Sequence, residues 1–136
     1  MSQEEVDAAN RLILDLISKC RVIIAGCRDF DDYELLKEKC DYFLQDENKE
    51  DVVIISGHDS GADALGEQYA QERGYGLETY PADRKAHGRA AVPIRNDRMA
   101  RVAHALIAFW DGKSRITKNM IETAMKHNLN VDVVRY

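Results

Sequence analysis

Apolar positions along the chain keep two rhythms, and the change between them divides it. Over residues 2–19, Val6, Ala9, Leu12, Ile13, Leu16 and Ile17 recur at helical spacing behind a Ser2/Glu5 capping-box pair, which predicts an amphipathic helix. Its stripe needs something to cover it, either the protein's own sheet or a second copy of the chain, so a homo-oligomer stays open. After that, short β-branched runs alternate with helical segments. Strands are expected over residues 21–25 (RVIIA), 52–55, 77–80, 105–109 and 131–134. Helices are expected over 31–44, 60–73 with Gly74 as C-cap, 93–103 with Pro93 in the first turn, and 117–127.

The strands are apolar continuously rather than at every second residue, the mark of a parallel sheet covered on both faces. The fold class is therefore α/β: a Rossmann-like three-layer sandwich around a mainly parallel five-stranded sheet, at residues 20–136, preceded by the amphipathic helix at 1–19. With strand order 3-2-1-4-5, the loops that leave the first, second and fourth strands line one crevice at the strands' carboxyl ends. Those loops are residues 26–29 (GCRD), 57–63 (GHDSGAD) and 110–117 (WDGKSRIT).

Each loop has glycine where strand turns to helix, which predicts backbone amides open to a ligand, and a helix amino terminus draws anions, phosphate above all. The candidate ligand-binding residues are Gly26, Cys27, Arg28, Gly57, His58, Ser60, Gly61, Asp63, Asp111, Gly112, Lys113, Ser114 and Thr117, with Arg95 and Asn96 from the segment PIRNDRMA. Neither a Walker P-loop nor GxGxxG is present, so the common triphosphate and dinucleotide fingerprints are not the basis of this site.

Composition narrows the setting. A chain of 136 residues with 45% hydrophobic content suits one domain with a proper core. Its net charge of −5 gives no global field for a nucleic-acid backbone, so any anion site must be local and nucleic acid is not the expected partner. Cys20, Cys27 and Cys40 lack framework spacing and follow no signal peptide, which points to a reducing cytoplasm. No apolar run approaches the roughly 18 residues of a membrane span, and no membrane partner is expected. Cys27, His58 and Asp59 show no zinc spacing, so no metal and no cofactor is assigned.

Taken together, the loop motifs resemble those of the YspA-type members of the SLOG superfamily, the Rossmann-like group that includes the Lonely-guy phosphoribohydrolases and the DNA-processing protein A family. RVIIAGCRDF is similar to RVIIAGSRDF, SGHDSGAD to SGGARGAD, and ALIAFWDGKSRITKNMI to ALIAFWDGKSRGTKNMI. The resemblance runs from Arg21 to Tyr136 and implies a site for a nucleotide or nucleotide-derived ligand. The chain departs from the pattern at His58, Asp59, Ser60 and Ile116, which makes the second loop bulkier, more acidic and short of one cation; Arg28, Lys113 and Arg115 are placed to compensate. In the Lonely-guy enzymes the resemblance also supplies a catalytic arginine, which falls on Arg95. The matching glutamate falls on Met120, or on Asn119 after a one-residue slip, and neither has a carboxylate.

Several residues carry two readings. Arg95 contacts ligand, as the candidate catalytic residue, or makes a helix-start ion pair; Asn96 binds or caps; Asp63 binds or forms a capping box with Ser60. Cys27 is a reactive thiol or a plain replacement for serine. Trp110 stacks on a base or plugs the sheet edge, and residues 84–89 (RKAHGR) form a mobile ligand-covering loop or a solvated face. The leading function is binding or sensing of a nucleotide-derived phosphorylated ligand. A nucleotide N-glycosidase or phosphoribohydrolase using Arg95 with Asp29, Asp63 or Asp111 is the alternative, and single-stranded DNA binding comes third.

Overall fold

The computed structural model describes residues 1–17 and 20–136. The elements run α1 (Gln3–Ile17), β1 (Cys20–Gly26), α2 (Tyr33–Phe43), β2 (Val52–Ser56), α3 (Ala62–Arg73), β3 (Gly76–Thr79), α4 (Arg84–His87), α5 (Ala91–Val102), β4 (Ala105–Trp110), α6 (Arg115–Lys126) and β5 (Asn130–Arg135). The sheet has the expected order β3-β2-β1-β4-β5, and every neighbouring pair is parallel. The carboxyl ends of β2, β1 and β4 therefore lie side by side. No described helix is long and apolar enough to cross a membrane.

Alternation along the strands sorts the core into two layers. Val22, Ile24, Ile54, Ile107 and Phe109 face α2 and α3, where Leu36, Cys40, Tyr69 and Ala70 are buried. Ile23, Ala25, Ile55, Leu106 and Ala108 face α5 and α6, where Met99, Ala100, Met120 and Ala124 are buried. With both faces taken, α1 has no sheet to cover. It lies beside α5, leaving Leu12 68% and Ile13 53% exposed, so packing on its own sheet is corrected. Ser2 does cap α1, accepting from the Glu5 N–H at 3.2 Å. Lys19, the expected end of that helix, is outside the described residues, as are the side chains of Leu16 and Ile17.

Two segments between β3 and β4 differ from expectation. The helix expected from Pro93 begins at Ala91, behind a 3-10 turn at Gly88–Ala90, so Pro93 is the third helical residue rather than the first. Residues 84–89 are not a loose loop: Asp83 accepts from the Ala86 N–H at 3.0 Å and starts α4.

Arg21 looked like the polar first residue of a strand, yet it is fully buried. Its guanidinium donates to both Glu78 carboxylate oxygens at 2.9 and 2.7 Å and, through Nε, to the Val102 carbonyl at 2.6 Å. The Arg21 N–H donates to His104 Nδ1 at 3.0 Å, and the His104 N–H returns to the Arg21 carbonyl at 2.8 Å. One arginine thus ties β1 to β3 and to the α5–β4 turn, and its charge holds the Glu78 carboxyl below the usual range. Truncating one partner of a buried pair strands the other charge. Arg21→Ala is expected to cost about 3–5 kcal/mol in urea unfolding; a loss below about 1 kcal/mol, the worth of an exposed pair, would contradict this role.

Candidate functional site

The three loops meet at the carboxyl edge, but their glycines serve the loops themselves. A Cβ at Gly26 would strike the Phe109 carbonyl oxygen and lie 2.9 Å from the Ala62 Cβ, because β1 and β4 close on each other here. Gly61, at φ +73°, turns the chain against the Cys27 and Arg28 backbone, where any Cβ would collide. The amides are drawn inward as well. Cys27 N–H donates to the Phe109 carbonyl at 3.1 Å and Ala62 N–H to the Cys27 carbonyl at 3.3 Å. The space that a Cβ would take at these glycines is filled by neighbouring protein atoms, while Gly26 also borders an open crevice between β1 and β4.

The fourth-strand loop is held by short polar side chains. Asp111 Oδ1 accepts from the Lys113 and Ser114 N–H groups at 2.8 and 2.9 Å, and these bonds hold its carboxyl below the usual range. Ser114 caps α6, accepting from Thr117 N–H at 3.3 Å. Thr117 and Cys27 are buried with Oγ1 and Sγ 3.7 Å apart. Trp110 donates from Nε1 to the Ser114 carbonyl at 3.0 Å, and the Arg135 guanidinium lies 5.3 Å from its ring, the arrangement of a plug.

Arg95 stands beneath these loops, 5% exposed. Its Nη1 donates to the carbonyls of Gly57 at 2.5 Å and Tyr80 at 3.4 Å, its Nε to Asn96 Oδ1 at 2.9 Å, and its Nη2 to Asp59 Oδ2 at 3.4 Å. Asn96 does not cap; its amide donates to Asn119 Oδ1 at 3.0 Å. The Ser60/Asp63 capping box is corrected too. Gly61 is the N-cap of α3, Ser60 donates to the Arg28 carbonyl at 3.4 Å, and Asp63 Oδ2 accepts from Asp59 N–H at 3.2 Å. Met120 is 2% exposed in the apolar core, so the position where the resemblance calls for a carboxylate is a packing position.

His58 adopts φ +62°, and its Nδ1 lies 2.9 Å from Glu67 Oε2, which accepts from the buried Ser56 hydroxyl at 2.7 Å. Ser56 Oγ also accepts from His58 N–H at 3.0 Å, so this network shapes the turn. Among the described residues, no group of three or more His, Cys, Asp and Glu side chains is placed to hold a metal ion.

Three concavities share the edge. Between β1 and β4, where the strand order reverses, a crevice of about 220 Å³ is lined by Gly26, Cys27, Arg28, Asp111, Ser114 and Thr117 among others. Beside it, Arg28, Arg84, Arg89 and Arg115 line an open concavity of about 380 Å³ with Asn119 and Ile116. Between the loops and Arg95 only about 20 Å³ remains, bordered by Arg28, Asp59, Asp63, Asn96 and Met120. Gly57, His58, Ser60, Gly61, Gly112 and Lys113 line none of these spaces. A larger hollow of about 630 Å³, between α1 and α5, shares no residue with the crevice. The roles of Asp59, Glu67 and Asn119 were missed from sequence; Arg115 was marked as a compensating cation, and Arg84 and Arg89 as part of a basic segment that covers ligand or faces solvent.

Burial, the largest influence, pushes the Asp63 carboxyl up to about 6 in spite of the Asp59 N–H and Arg95. An acid whose pKa rises on folding keeps in the native state a proton that the unfolded chain releases. The stability this brings is complete below about pH 4 and is lost as pH rises through about 6, a change of about 3 kcal/mol. Asp63→Asn should remove that component. The wild-type-minus-variant unfolding free energy, measured by urea titration at successive pH values, is expected to fall between about pH 4 and 6 and then level off; a pH-independent difference would contradict the buried carboxylate.

The fold matches solved structures of DNA processing protein A. The protein from Streptococcus pneumoniae superposes with a TM-score of 0.65 at 18% identity, covering 92% of this chain and 53% of that one. The Helicobacter pylori protein, whose structure is described for its single-stranded DNA binding mode, superposes at 0.64 with 19% identity, covering 92% and 68%. This chain thus spans about half the length of the pneumococcal protein, and at such identities the likeness is one of fold. No curated protein sequence matches. A family model does: the one for the YspA, cpYpsA-related SLOG family covers residues 20–87, half of the chain, including the first two loops and α4. With the sheet order and the loop junction expected of that resemblance in place, the chain belongs to the YspA, cpYpsA-related SLOG family.

Proposed function

We propose that the crevice between β1 and β4 binds a nucleotide or nucleotide-derived phosphorylated ligand, as a binding or sensing site. One observation carries this reading: the crevice shares Arg28 and Ile116 with an adjacent concavity lined by Arg28, Arg84, Arg89 and Arg115 in a chain of net charge −5. A local cluster of guanidinium groups beside a switch-point crevice suits phosphate, which takes charge-assisted bonds from arginine. Free, buried Cys20, Cys27 and Cys40 suit a cytoplasmic setting.

The same cluster favours a second reading. The net charge argued against nucleic acid, but the arginines form a local field that a whole-chain total hides, and one fold neighbour is described as binding single-stranded DNA. The hydrolase alternative has less support, since Arg95 is engaged by Gly57, Asp59 and Asn96, and the position matching the family's glutamate is the buried Met120.

A thermal-shift panel of nucleoside mono- and diphosphates against their unphosphorylated nucleosides tests the reading. Phosphorylated compounds are expected to raise the melting temperature and nucleosides to leave it unchanged. Arg28→Ala should weaken binding by about tenfold or more while the protein stays folded. Equal shifts for nucleoside and nucleotide, or full binding by Arg28→Ala, would refute it.

A further inference from the structure

We infer that the arginine-lined concavity is a diphosphate subsite, taking two linked phosphate groups of a nucleoside diphosphate-type ligand whose nucleoside end occupies the neighbouring crevice. The inference rests on the binding role proposed above and specifies its ligand class. Several arginines of this acidic chain pair with carboxylates: Arg21 with Glu78, Arg73 with Asp41, Arg95 with Asp59 and Arg101 with Asp97. Among the described residues, Arg84, Arg89 and Arg115 have no carboxylate partner, and no Asp or Glu lines their concavity. Arg28 has only a loose contact with Asp59 at 3.7 Å. Like charges around one hollow repel, and at separations within a Debye length of about 8 Å salt screens them incompletely. An anion relieves that repulsion.

Backbone geometry brings the charges together. Arg84 starts α4 and Arg89 follows Gly88, which sits at φ +56° and ψ −126°, a conformation open to glycine and costly for other residues. Nothing lies within 4 Å of the place where a Gly88 Cβ would be, so the glycine is required by the turn itself rather than by packing. That turn puts Arg84 and Arg89 on the hollow that Arg28 and Arg115 border from the strand loops.

The inner position is closed to phosphate. Asp59 Oδ2 stands 3.4 Å from Arg95 Nη2 and 3.7 Å from Arg28 Nη2, and the space left there is about 20 Å³, room for about one water. Asp59 thus holds the place an anion would take on Arg95, which directs phosphate outward. Charge decides the number of groups. A phosphate monoester carries about −1.5 to −2 at neutral pH, and a second, linked phosphate brings the total to about −3, the better match for three unpaired guanidinium groups. The 380 Å³ hollow is one concavity rather than a track, which suits a compact diphosphate better than the spread charges of a nucleic-acid strand.

Titration calorimetry of the full chain with AMP, ADP, inorganic pyrophosphate and a short oligothymidylate tests this, with melting temperature confirming that each variant folds. ADP is expected to bind about tenfold or more tighter than AMP, and pyrophosphate to compete with it. Arg84→Ala and Arg89→Ala should each weaken ADP by about tenfold and AMP by less than about threefold, while Arg101→Ala, a charge-matched control, changes neither. Equal affinity for AMP and ADP, with both variants silent, would overturn the diphosphate subsite and leave the crevice reading standing. No binding of either nucleotide or of pyrophosphate would overturn both. Preferential binding of the oligothymidylate, with each variant lowering the salt slope by about one, would assign these arginines to single-stranded DNA and overturn the inference.

Discussion

Arg95 carries a full positive charge into a position 5% exposed, and the carboxyl edge of the sheet is arranged around that fact. A buried guanidinium is tolerated only when its donors are satisfied and a counter-charge is near. The Gly57 and Tyr80 carbonyls, the Asn96 amide oxygen and the Asp59 carboxylate meet that need. In doing so they tie the β2 loop, the end of β3 and α5 to one side chain. Glycine at position 57 suits the same contact, since a Cβ there would run into the Arg95 guanidinium and stand 2.9 Å from Asp63 Oδ2.

This arrangement moves the ligand chemistry outward. The charge that the resemblance offers for catalysis is spent on architecture, and Asp59, one of the chain's departures from the family pattern, neutralises it from within. The cations that border the outer concavity are those on α4, the 3-10 turn and the start of α6: Arg84, Arg89 and Arg115, with Arg28 between them and the crevice. Recognition on this account falls to exposed side chains around the junction of the three loops.

Much of the fold was legible because continuous apolar strands and amphipathic helices are signals local to the chain. The order β3-β2-β1-β4-β5 follows from right-handed crossovers once the alternation of elements is known. What was not legible depends on contacts between distant residues. Arg21 reads only as the first residue of a strand until Glu78, 57 residues later, is brought against it. The Ser60/Asp63 spacing suggests a capping box, yet Asp63 turns back to the Asp59 amide because Gly61 adopts a left-handed conformation. The loop glycines were recognisable as necessary, but sequence alone does not distinguish room for a ligand from room for the neighbouring carbonyl at Phe109. Residues 84–89 were visible as basic; that they form a helical turn facing Arg28 and Arg115 was not.

The central claim is that phosphate is held outside Arg95, by the exposed arginines, while the Asp59–Arg95 contact stays closed. A crystal structure of the protein soaked with ADP addresses it directly. The account predicts phosphate density within hydrogen-bond reach of Arg28, Arg84, Arg89 and Arg115, with Asp59 still beside Arg95. Phosphate seated on the Arg95 guanidinium with Asp59 swung away would contradict it.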